Sequence, residues 1–297
     1  GSSTFSAITP MGRQHENDRE ATAADLKWLA DPAEEPEPFG DGGTKMAWNT
    51  FNVVSIYPNG NPVMSDVNQR WVGDCCACAV IASMAYLYPR FVKHIIKDNM
   101  DKTYTVTMYD PKGKQISVVV GGDYFIGNSG DLGALGGRNK EVTWATILEK
   151  AMIKWNQIYQ GSSNVGGIGT EYVSAIFTGD GESVGFGANA LIAEDLQRAV
   201  EVSLKQGRLV IGGFTRSGEQ VDQNWQTTSG HAFTFILPDD NTHLFKMRNP
   251  WGGTTDGVMK VKDDGRIPPM IDLRICAPGA AKNYGVGPDL GGYIPNF

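Results

Sequence analysis

Three of the four cysteines, Cys75, Cys76 and Cys78, fall within four positions, and Cys276 lies far downstream. Sulfur clustered so closely cannot staple distant parts of a chain. The spacing therefore argues against a disulfide framework and leaves nucleophilic, metal-binding or packing roles. Cys75 has the best position for chemistry, because it stands where the Gly73-Asp74 loop opens an apolar run from Cys75 to Leu87. Asp is a favoured helix N-cap, so a helix is expected to start there. Its first turn offers unpaired N–H groups and a partial positive charge, both of which favour a thiolate. Position alone leaves a second reading, in which the three cysteines are small apolar residues packed in a helix.

A nucleophilic thiol needs a base, and the base needs a group that orients it. Of the four histidines, His15 lies in a polar tail, His94 sits between Lys93 and Lys97, and His243 closes the polar turn Asp239-Asp240-Asn241-Thr242. His231 alone leads into an apolar strand, Ala232 to Ile236, and follows Gly230, where another chain could approach closely. A solitary histidine at such a place is more often a core residue than a catalyst. Asn249-Pro250-Trp251-Gly252, directly after the strand Leu244 to Arg248, changes that balance. A hairpin joining the two strands sets His231 beside Asn249, whose amide oxygen can accept from one ring nitrogen and leave the other for the thiol. Trp251 could shield that bond from water. Taken singly, the same four residues are simply a turn.

Together these segments resemble the calpain family of cysteine peptidases, over roughly residues 60 to 260. Gln69-Arg70-Trp71-Val72-Gly73-Asp74-Cys75 looks like the family's nucleophile segment. Ser229-Gly230-His231-Ala232-Phe233 is similar to its Gly-His-Ala-Tyr segment, and Arg248-Asn249-Pro250-Trp251-Gly252 to its Arg-Asn-Pro-Trp-Gly. Trp144 to Ala151 resembles its Trp-x-x-Leu-Leu-Glu-Lys-Ala helix, and Phe177-Thr178-Gly179 its Phe-Thr-Gly-Gly turn. Each motif is only moderately specific, but five in the family's order form a strong signal.

The resemblance implies a papain-like α+β fold and a calpain-like protein of non-animal type. It implies Cys75 as nucleophile, His231 as general base, Asn249 as the orienting residue and Gln69 as an oxyanion donor. Gly73, Gly179, Gly230 and Trp251 are then expected along the substrate cleft. No cofactor is needed for such chemistry. Calpain cores of animals bind calcium, and Asp66 resembles one ligand position, which makes calcium a weaker expectation. There are departures: Cys76 replaces the Trp that usually follows the nucleophile, and Asp180 replaces the second Gly of the Phe-Thr-Gly-Gly turn. No EF-hand loop pattern is present, so the regulatory domains of the animal enzymes are expected to be absent.

The elements that must position these residues can be read coarsely. Residues 1–45 are polar, with Pro and Glu concentrated between Asp31 and Pro38, and read as a tail or surface arm with one short helix near Ala21 to Leu29. Tyr104 to Met108 and Ile116 to Val120 form a hairpin, and further helices are expected over about Thr143 to Tyr159 and Ala193 to Lys205. From Leu209 onward the pattern is strand-like. Residues 46–182 are thus expected to form a mostly helical unit carrying the nucleophile, and 183–297 an antiparallel-sheet unit carrying His231 and Asn249, with the cleft between them.

The formal charge of −7 and the lack of a Lys/Arg cluster argue against nucleic acid as a partner. No apolar run reaches the length of a membrane span. The opening Gly1-Ser2 resembles an expression scar, which leaves a removed leader and secretion open and the compartment unknown. The expected partners are protein or peptide substrates. Other readings are a metal or redox protein using Cys75-x-x-Cys78, an inactive calpain-like binding module, and an acyl transferase or amidase on the same plan.

Overall fold

The computed structural model describes residues 18–39, 46–187, 193–238, 243–262 and 270–285. His15, residues 1–17 and 40–45 of the polar tail, and the turn at 239–242 lie outside the described residues. Helices and antiparallel sheets are both present. In chain order the elements are α1 (Ala23–Leu29), β1 (Ala47–Thr50), α2 (Cys75–Leu87), α3 (Pro89–Ile95), β2 (Ile96–Asp98), β3 (Tyr104–Tyr109), β4 (Gln115–Val120) and β5 (Asp123–Ile126). They continue with α4 (Trp144–Tyr159), α5 (Thr170–Thr178), β6 (Ser183–Gly187), α6 (Ala193–Lys205), β7 (Leu209–Phe214), β8 (Phe233–Ile236), β9 (His243–Arg248), β10 (Val258–Lys262) and β11 (Met270–Cys276).

Six strands form one antiparallel sheet in the order β10-β9-β8-β7-β11-β6, while β1-β5 and β2-β3-β4 make two small sheets. The small sheets, α3 and α5 go beyond the sequence reading, which expected only the β3–β4 hairpin and longer helices before residue 180. These segments are too short to build a periodic signal. From Ala77 to Leu87 every residue of α2 is buried. A helix apolar on all sides must lie inside the fold, and α2 packs against β7, β8, α4 and α5. Among the described residues, no single helix is long and apolar enough to cross a membrane.

Two hydrogen bonds fix α2 on the sheet: Thr234 Oγ1 donates to Ala79 O at 2.8 Å, and Leu237 N donates to Tyr86 Oη at 3.1 Å. Because Thr234 lies on β8, these bonds set the distance from the head of α2 to His231. In the β8–β9 register Thr234 faces Arg248, so residues 231 and 249 leave the sheet at the same end. Strand β7 runs beside them, wholly buried. A Cβ at Gly213 would stand 2.5 Å from His231 O, so only glycine lets the two backbones approach this closely.

The acidic arm is anchored on α4. Buried Lys154 donates to Asp31 O at 2.7 Å and Val119 O at 2.9 Å, and Lys150 pairs with Glu35 at 2.8 Å. These anchors explain how two lysines tolerate burial in the middle of a helix, since buried ammonium groups need acceptors.

Changing Gly213 to Ala is expected to destabilise the protein by about 1–3 kcal/mol through overpacking. Activity should fall because His231 is displaced. A denaturation midpoint unchanged from wild type would contradict the close approach.

Candidate active site

Cys75 is the first residue of α2, and Asp74 occupies the N-cap position. The cap differs from the expected one. The Asp74 side chain makes no capping hydrogen bond; its Oδ1 instead accepts from Cys78 Sγ at 3.2 Å. The Cys75 N–H, at the first helical position, is among those without an intrahelical acceptor whether or not the cap forms.

His231 Nε2 and Asn249 Oδ1 lie 2.7 Å apart, both residues buried, and the same oxygen accepts from Trp251 N at 3.0 Å. With Nε2 donating to an amide oxygen, Nδ1 is left to face Cys75. The Trp251 ring lies over the imidazole, 4.3 Å between centroids and 33° tilted, although Trp251 itself is 49% exposed. It covers the His231–Asn249 bond on one side while presenting its outer face to solvent.

Cys75, Cys76 and His231 share one cavity of about 350 Å³ with Gly73, Gly167, Thr170, Ile211, Gly212, Gly213, Gly230, Ala232 and Arg274. The electrostatics favour a thiolate at Cys75. The hydrogen bond from the Cys76 thiol holds Cys75 far below an ordinary thiol; burial opposes this, and the hydrogen bond and charge of His231, with the Ala232 N–H, reinforce it. Cys76 is pushed up in turn, first by its hydrogen bond to Cys75 and then by burial. Cys78 is fully buried and also raised, chiefly by burial.

Of the residues singled out in the sequence, Gly73, Cys75, Gly230 and His231 meet at this cavity, with Asn249 and Trp251 behind and over the imidazole. Gln69 is close in the chain but does not line the cavity. Its Nε2 donates to Val72 O at 2.8 Å, and its Oε1 is buried without a partner. Gly179 is the left-handed cap that ends α5, at φ 78°, against the Tyr109 ring, and is not among the lining residues. Asp66 is buried, and its carboxylate accepts from Asn59 Nδ2 at 2.6 Å, Trp144 Nε1 at 2.7 Å and Val63 N at 3.2 Å. Three N–H donors suit a carboxylate used as a structural acceptor rather than one presented to a cation.

The reading of the sequence did not single out Gly212, Gly213, Thr170 or Arg274. Two glycines inside the apolar run Leu209 to Phe214 were the available signal, since strand glycines mark close approaches. Nor did it find the buried group beneath the nucleophile, in which ligating atoms of Asp74, Cys78 and Glu149 lie within 4.8 Å of one another. Glu149 Oε1 accepts from Leu135 N at 2.9 Å. Asp74 Oδ2 and Glu149 Oε2 accept from no N–H or hydroxyl donor; the hydrogen bond between the two carboxyls, which by itself lowers Asp74 and raises Glu149, requires one shared proton. Both carboxyls are raised, Asp74 and Glu149 alike chiefly by burial.

These features define a thiol–imidazole–amide site of the papain-like kind. A model of the calpain family cysteine protease domain matches residues 48–257, and the chain belongs to that family. The papain-like fold follows from that membership. Comparison with curated proteins gave no match.

A carboxyl whose folded pKa is raised holds protons that the unfolded chain has released. Its stabilisation is complete below the unfolded carboxylate range, about pH 4, and is lost as pH rises through the folded values, by up to about 1.4 kcal/mol per pH unit and group. Glu149→Gln, neutral throughout, should flatten this decline in stability between about pH 4 and 8. Superimposable stability–pH profiles for the two proteins would exclude the shared proton.

Proposed function

We propose that the chain is a cysteine endopeptidase that hydrolyses peptide bonds in extended, accessible stretches of protein. Cys75 acts as nucleophile, His231 as general base and then acid, Asn249 as the orienting residue and Gln69 as oxyanion donor. One observation carries this reading: Asn249 fixes one nitrogen of His231 at 2.7 Å, while the other side of the ring meets Cys75 in the same cavity. A ring held in one tautomer beside a depressed thiol is what thiol acyl chemistry requires.

The thiolate of Cys75 attacks the scissile carbonyl carbon, and the carbonyl electrons move onto oxygen. The Cys75 N–H at the head of α2 receives that charge, joined by Gln69 Nε2 once bound substrate draws the amide from Val72 O to the edge of the cavity. Collapse breaks the C–N bond, and the imidazolium of His231 protonates the departing amine. Water, deprotonated by His231, then cleaves the thioester. Glycines 73, 212, 213 and 230 leave backbone on two sides of the cavity open to an extended chain. On this reading the nucleophile comes from residues 46–182 and the His/Asn pair from 183–297, with the cleft between them. The chemistry takes no cofactor; calcium enters this reading only as a regulator bound elsewhere than at Asp66, whose carboxylate already accepts from three N–H donors.

The test is incubation of an unfolded protein substrate with thiol, with and without a calcium chelator. Cys75→Ala should abolish cleavage. Gln69→Ala should lower kcat roughly 10²–10³-fold, about 2.7–4 kcal/mol, with KM little moved. Asn249→Ala should retain more activity than His231→Ala. Full activity in the His231 and Asn249 variants would dismiss the triad. Crosslinking to an added amine in place of cleavage would replace the hydrolase with a transferase. An inhibitor-labelled Cys75 without turnover would leave a binding module.

A further inference from the structure

Two thiols face the reaction cavity where peptide hydrolysis uses one. Cys75 and Cys76 are both half-buried, both line the cavity, and neither is in a disulfide. Thr170 stands beside Cys76 on the same wall. The remaining cysteines differ: Cys78 is buried and engaged with Asp74, and Cys276 is buried on β11. Solvent-borne oxidants therefore reach two sulfurs, adjacent in the chain.

We infer that Cys75 and Cys76 form a site of reversible oxidation by hydroperoxides, with Cys76 as the resolving thiol that protects the nucleophile. The inference rests on Cys75 being the reactive thiolate. In the first step the Cys75 sulfur attacks the terminal peroxide oxygen, the O–O bond breaks, and hydroxide, or alkoxide from an organic hydroperoxide, leaves with a proton from the His231 imidazolium. Cys75 becomes a sulfenic acid: sulfur is oxidised and the peroxide reduced. In the second, Cys76 sulfur attacks Cys75 sulfur, the S–O bond breaks, and the displaced hydroxide takes the Cys76 proton and departs as water. The sum is two thiols and one hydroperoxide giving a disulfide, one alcohol or water from the peroxide, and a second water. An external dithiol returns the two electrons.

Local geometry allows this ring and makes it labile. Consecutive Cα atoms stand about 3.8 Å apart, short of the span of about 4.4–6.8 Å usual for disulfides. The peptide fixes that separation, so the ring is strained in any backbone conformation; neighbouring side chains of a helix also point apart, so closure needs the first turn of α2 to open. The N–H groups of the first two helical positions have no i−4 acceptor, so the bond most directly at stake is the one Cys78 N donates to Asp74 O at 3.0 Å. A strained disulfide is reduced more easily than a relaxed one, so the bond would form under peroxide and yield readily to thiol. Without a resolving thiol, a sulfenic acid proceeds to the sulfinic and sulfonic acids, which thiols do not reverse.

The experiment treats the full chain with hydrogen peroxide, blocks remaining thiols with iodoacetamide, and maps the peptide holding both residues. Wild type is expected to lose two hydrogens from that peptide, to escape alkylation at both sulfurs, and to regain more than about nine-tenths of its untreated activity after dithiothreitol. Cys76→Ser, or Cys76→Ala if serine impairs folding, should show roughly ten-fold more dimedone labelling at Cys75. It should recover less than about a tenth of its own untreated activity. Equal dimedone labelling in wild type and variant, with no loss of hydrogen in wild type, overturns the inference. Untreated protein labelled at Cys75 by an epoxide-type inhibitor then keeps the peptidase reading in place. Failure of that labelling removes the reading, and the oxidation site with it.

Discussion

Two hydrogen bonds between a turn and a loop, far apart in sequence, hold the site in register. The Arg248 guanidinium donates through Nη2 to Val67 O at 2.8 Å, and Gln69 N donates to Pro250 O at 2.7 Å. They tie the turn carrying Asn249 to the segment leading into Cys75. Arg248 has no exposed surface, and its remaining contacts go to Asp256 O at 3.2 Å and the Asp256 carboxylate. Its Nη1 is buried without a partner, so the bonds from Nε and Nη2 are what offset the burial of this guanidinium, and drift of the turn would strand those donors too. Gly252, at φ 67°, completes the fit: a Cβ there would fall 1.9 Å from Asn68 Oδ1. On the far side, the bonds from β8 to α2 do the same for the helix head. The imidazole is thus placed from both sides.

Electrostatics then act on a fixed geometry. The thiol at position 75 lies at a helix head, beside an imidazole and a second thiol, and each favours its ionised form. Directly below, the proton shared by Asp74 and Glu149 leaves that pair with one negative charge in place of two. Had both carboxyls been ionised, their repulsion would have opposed the charge the site needs. Burial thus keeps one of the two acids below the helix head neutral, while the second thiol, the imidazole and the Ala232 N–H favour charge on the sulfur above against its own burial.

Much of this was legible because it is local. Long helices such as α4 and α6 show a 3.6-residue period, and the β3–β4 hairpin is announced by Asp110-Pro111-Lys112-Gly113. The triad candidates could be picked out because Gly-Asp-Cys, Gly-His-Ala and Asn-Pro-Trp-Gly each compress a turn and a reactive group into a few residues. What was not legible depends on contacts between distant segments. Glu149 and Lys150 are neighbours on one helix, yet one meets Asp74 under the nucleophile and the other meets Glu35 in the arm. Nothing in their spacing assigns those partners. Gly179 shows the reverse: its motif suggested the cleft, whereas its backbone conformation serves to end α5.

The proposed function depends on one physical claim, that the sulfur of Cys75 exists as a thiolate paired with the ring of His231. The ultraviolet absorbance of thiolate, followed against pH as the difference between wild type and Cys75→Ser, measures it directly. The expected result is one equivalent of thiolate persisting well below pH 7, against an ordinary thiol pKa of about 8.5, and lost over that range in His231→Ala. A sulfur titrating as an ordinary thiol, indifferent to the histidine, would contradict the account.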